Sequence, residues 1–103
     1  MASTPASRRS SGADPVVGRP VEVLAHVQVR ADGDLDALEE HLAGALATVA
    51  AWQVTGESDY VAHLACRSLR DVEAELRRVR EHPAVRRVTA QLLLHRVTGS
   101  AQA

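Results

Sequence analysis

A chain of 103 residues carrying a net charge of −1 has room for one domain and no excess of positive charge for a folded nucleic-acid surface. Its one cysteine, Cys66, excludes an intramolecular disulfide and a CxxC metal knuckle. No apolar run approaches the roughly 18 residues of a membrane span, and none follows the first arginines as a secretory signal would, so the expected location is cytoplasmic.

Apolar residues make up 46% of the chain, yet the only aromatics are Trp52 and Tyr60, so the core must be built from Val, Leu and Ala. A chain of this size buries only about 60–65% of its unfolded surface and gains much from association. Every basic residue is arginine, and lysine, isoleucine and asparagine are absent, a bias that suits a GC-rich bacterial genome.

Residues 1–20, "MASTPASRRSSGADPVVGRP", are rich in Ser, Pro and Gly without periodicity and read as a disordered tail or linker. Three arginines against one aspartate give this segment +2, enough to touch only a few phosphates. Residues 21–30, "VEVLAHVQVR", alternate with period two and predict a strand. "ADGD" breaks it. Asp34 is a suitable N-cap, and Leu35, Leu38, Leu42 and Leu46 continue as the apolar stripe of a helix.

Residues 47–56 and 58–68 predict two strands joined by a short glycine-containing turn. Ser68 then caps a second helix, with Leu69, Val72, Leu76 and Val79 on its buried side and Glu73 and Arg77 paired on the outside. The "RRVR" run reads as a solvated helix face, and His82-Pro83 stops the helix. Residues 84–97 predict the last strand, closing a domain over 21–97, and 98–103 read as a flexible tail.

The order βαββαβ implies an α+β ferredoxin-like plait: a four-stranded antiparallel sheet with two helices on one face. The helices are expected over Val23, Ala25, Val27, Val29, Ala62, Leu64, Cys66, Val88, Ala90, Leu92 and Leu94. Leu24, His26, Gln28, Ala51, Gln53, Val61, His63, Ala65, Thr89, Gln91, Leu93 and His95 fall on the other face. That face is half apolar and uncharged except at strand ends, at Glu22, Arg30, Arg67 and Arg87, whereas a water-facing sheet carries charges. A homodimer packed sheet against sheet is therefore expected, with Leu24, His26, Gln28, His63, Thr89, Leu93 and His95 at the interface.

The stretch "WQVTGESDYVAHL", followed by "SLRDVEAELRRVREHPAVRRV" and "QLLLHRV", resembles the effector-binding domain of the Lrp/AsnC family of bacterial regulators over roughly residues 20–97. The resemblance implies a plait that dimerises through its sheet and assembles further, up to octamers. It also implies an amino acid or related metabolite bound between dimers. Gly56, Asp59 and Tyr60 match the family's "VTG-x-x-DY" hairpin, which lines that cleft. Gln91, with Ala90, stands where relatives often have Thr-Ser, and "GALATV" lacks the usual proline before the second strand.

The family's complete regulators carry an amino-terminal helix-turn-helix domain; this sequence has twenty irregular residues there, so it resembles the family's stand-alone members or an excised domain. The expectation is a stand-alone sensing and oligomerisation domain with no direct nucleic-acid contact, reaching DNA through a full-length relative.

Structural roles stand beside these readings. Asp59 can cap the hairpin, Tyr60 can pack at the sheet edge, and Gly56 can serve the turn alone. Trp52 suits core or interface. His26, His63 and His95 share one face, yet no acid stands among them to orient rings around a metal, so no metal or cofactor is expected. His41 and His82 read as exposed helix residues. No Ser-His-acid spacing, phosphate-cradling loop or paired carboxylates point to an enzyme. A small plait oxygenase with His26 or His63 in its cleft is one alternative, and a ligand-free structural oligomer is the other.

Overall fold

The fold, a computed structural model, describes residues 19–99. The expected tails at 1–20 and 98–103 lie, apart from residues 19, 20, 98 and 99, outside the described residues. Six elements follow one another: β1 (Val21–Val29), α1 (Leu35–Ala43), β2 (Thr48–Gln53), β3 (Tyr60–Cys66), α2 (Leu69–Arg80) and β4 (Val85–Leu92). All strand pairings are antiparallel, in the order β2-β3-β1-β4. This is the ferredoxin-like plait that the sequence predicts. No described helix is long and apolar enough to cross a membrane.

Local chemistry sets the helix ends. The Asp34 carboxylate accepts from the Ala37 N–H at 3.1 Å and the Ser68 hydroxyl from the Asp71 N–H at 3.1 Å, each satisfying a donor that the helix itself leaves free. α1 stops at Ala43, with Gly44 as its C-cap. One core cluster packs Val27 and Tyr60 against Leu38, Leu42 and Val79, with Ala84 and Val85 closing it. A second packs Val23, Ala25, Ala62, Leu64 and Cys66 under Val72. Each fully buried Val or Leu contributes about 1.5–3 kcal/mol, and with Tyr60 the one aromatic in the core that sum is small for 81 described residues.

Several sequence expectations are corrected. Leu46 is wholly exposed, because Gly44 ends α1 before the stripe can reach it. Leu69 is also exposed, since a side chain in the first turn points back past the helix end instead of down onto the sheet. β4 ends at Leu92 rather than at residue 97, because its partner β1 begins at Val21 and offers only the Glu22 carbonyl to the Leu93 N–H. Leu94 is consequently exposed, and Ala90 and Leu92, opposite Ala25 and Val23, lie beyond the helices' cover. The Glu73–Arg77 pair is replaced by Arg78 with Glu75 at 3.1 Å.

The second strand is out of phase with the expectation. Its register to β3 shifts between Thr48 and Ala50, so Val49 is an extra residue. Ala51 and Gln53 stand opposite Ala62 and Tyr60 on the helix side, while Ala50 and Trp52 stand opposite His63 and Val61 on the open side. A strand reading "TVAAWQ" is apolar on both faces, so alternation alone cannot reveal the slip.

Candidate functional site: the β2–β3 hairpin and the groove beside it

The hairpin is tied to β1 by main chain and side chain together. The Asp59 N–H donates to the Val27 carbonyl at 2.8 Å, and the Asp59 carbonyl accepts from the Val54 N–H at 2.9 Å. Its carboxylate accepts from the Val29 N–H at 2.9 Å. Gln28 reaches across from β1, its side-chain amide donating to the Glu57 carbonyl at 2.9 Å. Gly56 sits at the tip with φ of +107°, a conformation that side chains strain to adopt, although a Cβ there would meet no atom within 4 Å. The glycine therefore serves the backbone and leaves open space above the turn.

Tyr60 opens β3 and faces the helices. Its ring is part of the core, 3% exposed, and its hydroxyl donates to the Glu39 carboxylate at 2.6 Å. That hydrogen bond, reinforced by burial and by the charges of Glu39, Asp36 and Asp59, pushes the phenol up to about 12. Glu39 and Tyr60 stand at one end of an open cavity of about 480 Å³ between α1 and the edge strand β2. Leu42, Ala43, Val49 and Trp52 supply much of its apolar lining.

Gln91 lies elsewhere. It stands opposite Leu24 on the open face and accepts from His26 Nε2 at 2.8 Å. Of the four candidate effector residues, Gly56, Asp59 and Tyr60 are brought together in the hairpin, while Gln91 is separated from Tyr60 by the thickness of the sheet. In the candidate dimer-interface set, Leu24, His26, Gln28, His63 and Thr89 share the open face, and Leu93 extends it beside Glu22. His95 lies past the end of β4.

Glu22 and Arg87 belong to the same face, paired with Ala65 and Gln28 at its two ends. Glu22 accepts from His63 Nε2 at 2.7 Å, so an acid does orient one of these rings. Among the described residues no three His, Cys, Asp or Glu side chains are placed to hold a metal ion.

His41 and His82 are half-buried rather than exposed, because they meet between the helices, ring centroids 4.8 Å apart. Arg78 donates to the His41 carbonyl at 3.0 Å, and the backbone N–H of Ala84 donates to His82 Nδ1 at 3.1 Å. Burial, with the His41 and Arg78 charges, lowers His82 below its ordinary range against the opposing pull of Asp34. Cys66 is in the core, and burial, with Glu75 and Asp71 nearby, raises its thiol. Glu39 and the His41–Arg78–His82 cluster escape sequence reasoning because their partners lie twenty or more residues away, with no spacing that would mark them.

Structures of known proteins share this arrangement. An AsnC family transcriptional regulator from Agrobacterium tumefaciens is 18% identical, with a TM-score of 0.70, covering 84% of this chain and 58% of its own. A protein of Thermus thermophilus is 18% identical with a TM-score of 0.68, covering 77% of this chain and 99% of its own. A transcriptional regulator of Neisseria meningitidis, solved in complex with L-Met, is 15% identical with a TM-score of 0.69, covering 77% and 53%. The chain thus spans a little over half of each of the two regulators. No curated protein matches the sequence. At these identities the likeness concerns the fold, but the sequence profile of the Lrp/AsnC ligand binding domain matches residues 22–102. The chain belongs to the Lrp/AsnC ligand binding domain family.

Proposed function

We propose that this regulatory ligand-binding domain senses an amino acid or related small metabolite and couples its binding to self-assembly. Gly56, Asp59, Tyr60 and Gln91 form the effector contacts. Leu24, His26, Gln28, His63, Thr89, Leu93 and His95 form a dimer interface through the open sheet face. Dimers associate further into even-numbered assemblies, up to an octamer.

The observation that carries this reading is the division of the effector residues. Tyr60 faces the helices and Gln91 the opposite side of the same sheet, so no small molecule can touch both within one chain. A ligand that uses both is shared between copies. Binding then favours the assembled state by its differential affinity for it. The L-Met complex of the N. meningitidis regulator supports an amino acid as the class to try first. Within the described residues both helices pack on the sheet, which supports a domain that reaches DNA through a full-length regulator of the family.

Native mass spectra of the protein alone and with a panel of free amino acids test this reading. The expected result is an even-numbered assembly that gains one amino acid per subunit. An assembly whose mass and distribution ignore every amino acid would overturn the sensing function and leave a structural oligomer.

A further inference from the structure

The groove between α1 and β2 has its own chemistry. Its lining residues include one formal charge, the Glu39 carboxylate, and no Arg or His. Tyr60 donates to one oxygen of that carboxylate at 2.6 Å, and the phenol, neutral throughout the working range, fixes the group without cancelling its charge. Asp36 stands one helical turn before Glu39, and Asp59 opens into the same end of β3, so the local field is negative. Ala43, Val49 and Ala51 supply the apolar part of the remaining wall, with Trp52 alongside, while Thr48 and Gln53 are polar. A volume of about 480 Å³ falls within the range of small-molecule sites, roughly 300–1,000 Å³.

We propose that this groove binds small organic amines: a cationic nitrogen against Glu39 and an apolar body along Ala43 and Val49. A zwitterionic amino acid suits it poorly. The carboxylate of such a ligand would enter a negative field and meet no cationic side chain in the lining, so repulsion would offset what its ammonium group gains at Glu39. Charge complementarity therefore selects the amine over the amino acid that shares its side chain. This site is contained in one chain and does not involve Gln91, so it can be tested apart from the effector reading above, although Ala50 and Trp52 reach it from the open side of the sheet edge. Tyr60 is common to both: its ring closes the core, and its hydroxyl aims the acid.

The chain's only tryptophan lines the groove, so its fluorescence reports occupancy. Phenethylamine, phenylalanine and phenylacetate share one apolar body and differ in charge, and each is titrated into the intact protein. Phenethylamine is expected to give a saturable change, with an affinity about tenfold or more above that of phenylalanine, and phenylacetate none. Glu39→Gln keeps an acceptor for Tyr60 and is expected to weaken the amine about tenfold or more, with the urea midpoint nearly unchanged. Gln91→Ala, which removes an effector residue, is expected to leave the amine titration as it is. Failure of phenethylamine to saturate, equal binding of phenylalanine or phenylacetate, or indifference to Glu39→Gln would each overturn the assignment. The three-ligand comparison on the parent protein decides the matter even if the variant does not fold.

Discussion

The carboxylate of Asp59 accepts the backbone N–H of Val29 at 2.9 Å across the mouth of the β1–β3 pair. β1 alternates its main-chain groups between neighbours, and the Val27 carbonyl already points to β3, where it takes the Asp59 N–H. The Val29 N–H points the same way, but β3 has begun only at Tyr60, and the chain has turned off into the hairpin. A side chain supplies the acceptor that no strand can. Asp59→Ala is therefore expected to lower unfolding stability by about 1–3 kcal/mol by stranding a half-buried donor. Asp59→Asn keeps an oxygen in place and is expected to cost less than about 1 kcal/mol. Urea denaturation of the two variants measures the difference.

Tyr60 is the chain's only tyrosine, so its ionisation can be followed by absorbance without interference. The folded phenol titrates near 12 against an ordinary value of 10.0. A raised phenol favours the fold while neutral, and that contribution is present in full below pH 10 and lost as pH climbs from about 10 to 12. Glu39→Gln keeps a hydrogen-bond acceptor but removes the carboxylate charge, and is expected to bring the titration part of the way back toward 10, with a shallower alkaline loss of stability. An unchanged midpoint in that variant would show that the hydroxyl does not act through Glu39.

His82 has the opposite sign. Its imidazole is lowered below 6.5 by burial, then by His41 and Arg78, with Asp34 pulling the other way and Glu75 neutralising part of Arg78. The unfolded chain takes up the proton first, so stability is highest above about pH 6.5 and falls as pH drops below it. His82→Asn retains an acceptor for the Ala84 N–H and removes the titration. Comparing urea midpoints at about pH 7.5 and 5.5 is expected to show a smaller acid loss in the variant than in the parent.

Leu24 stands near the centre of the open face, between His63 and Gln91. Leu24→Arg places a long charged side chain at the centre of the proposed dimer interface, and a shift from dimer to monomer in sedimentation velocity is the expected result. Circular dichroism of the variant is expected to keep the parent's helix and strand signal, since Leu24 lies outside both core clusters.

Gly33 and Gly56 make a contrasting pair. At Gly33 a Cβ would come within 2.9 Å of the Ala84 Cβ and 3.1 Å of its backbone, so Gly33→Ala must push apart the two loops that close the core. At Gly56 space is free and only the positive φ resists, so Gly56→Ala is expected to cost about 1–2 kcal/mol. Thermal unfolding is expected to rank Gly33→Ala as the more damaging.

The order of elements was readable because β1, β3 and both helices each expose one polar and one apolar side: Val23, Ala25 and Val27 against Glu22, His26 and Gln28, or Val72 and Val79 against Glu73 and Arg77. Where that contrast fades, reading failed. β2 has none, so the bulge at Val49 was invisible; β4 continues as "LLLHRV" after β1 has run out, so hydrophobicity overran the pairing. The hairpin motif located Gly56, Asp59 and Tyr60, but it could not show that Tyr60 points into the core toward an acid on α1. That contact joins residues 21 apart through the fold alone.

β2 is also an edge of the sheet, and its six residues, Thr48–Gln53, contain neither charge nor proline. Natural edge strands usually carry one or the other, because an unguarded row of N–H and C=O groups will accept any extended chain. Here Val49 and Trp52 are exposed along that row as well. A six-residue, uncharged strand without proline or glycine is the composition of a fibril seed. Kept without cover at high concentration, this protein is expected to lengthen its sheet with copies of itself, β2 against β2, and thioflavin-positive aggregates suppressed by Ala51→Lys would reveal it.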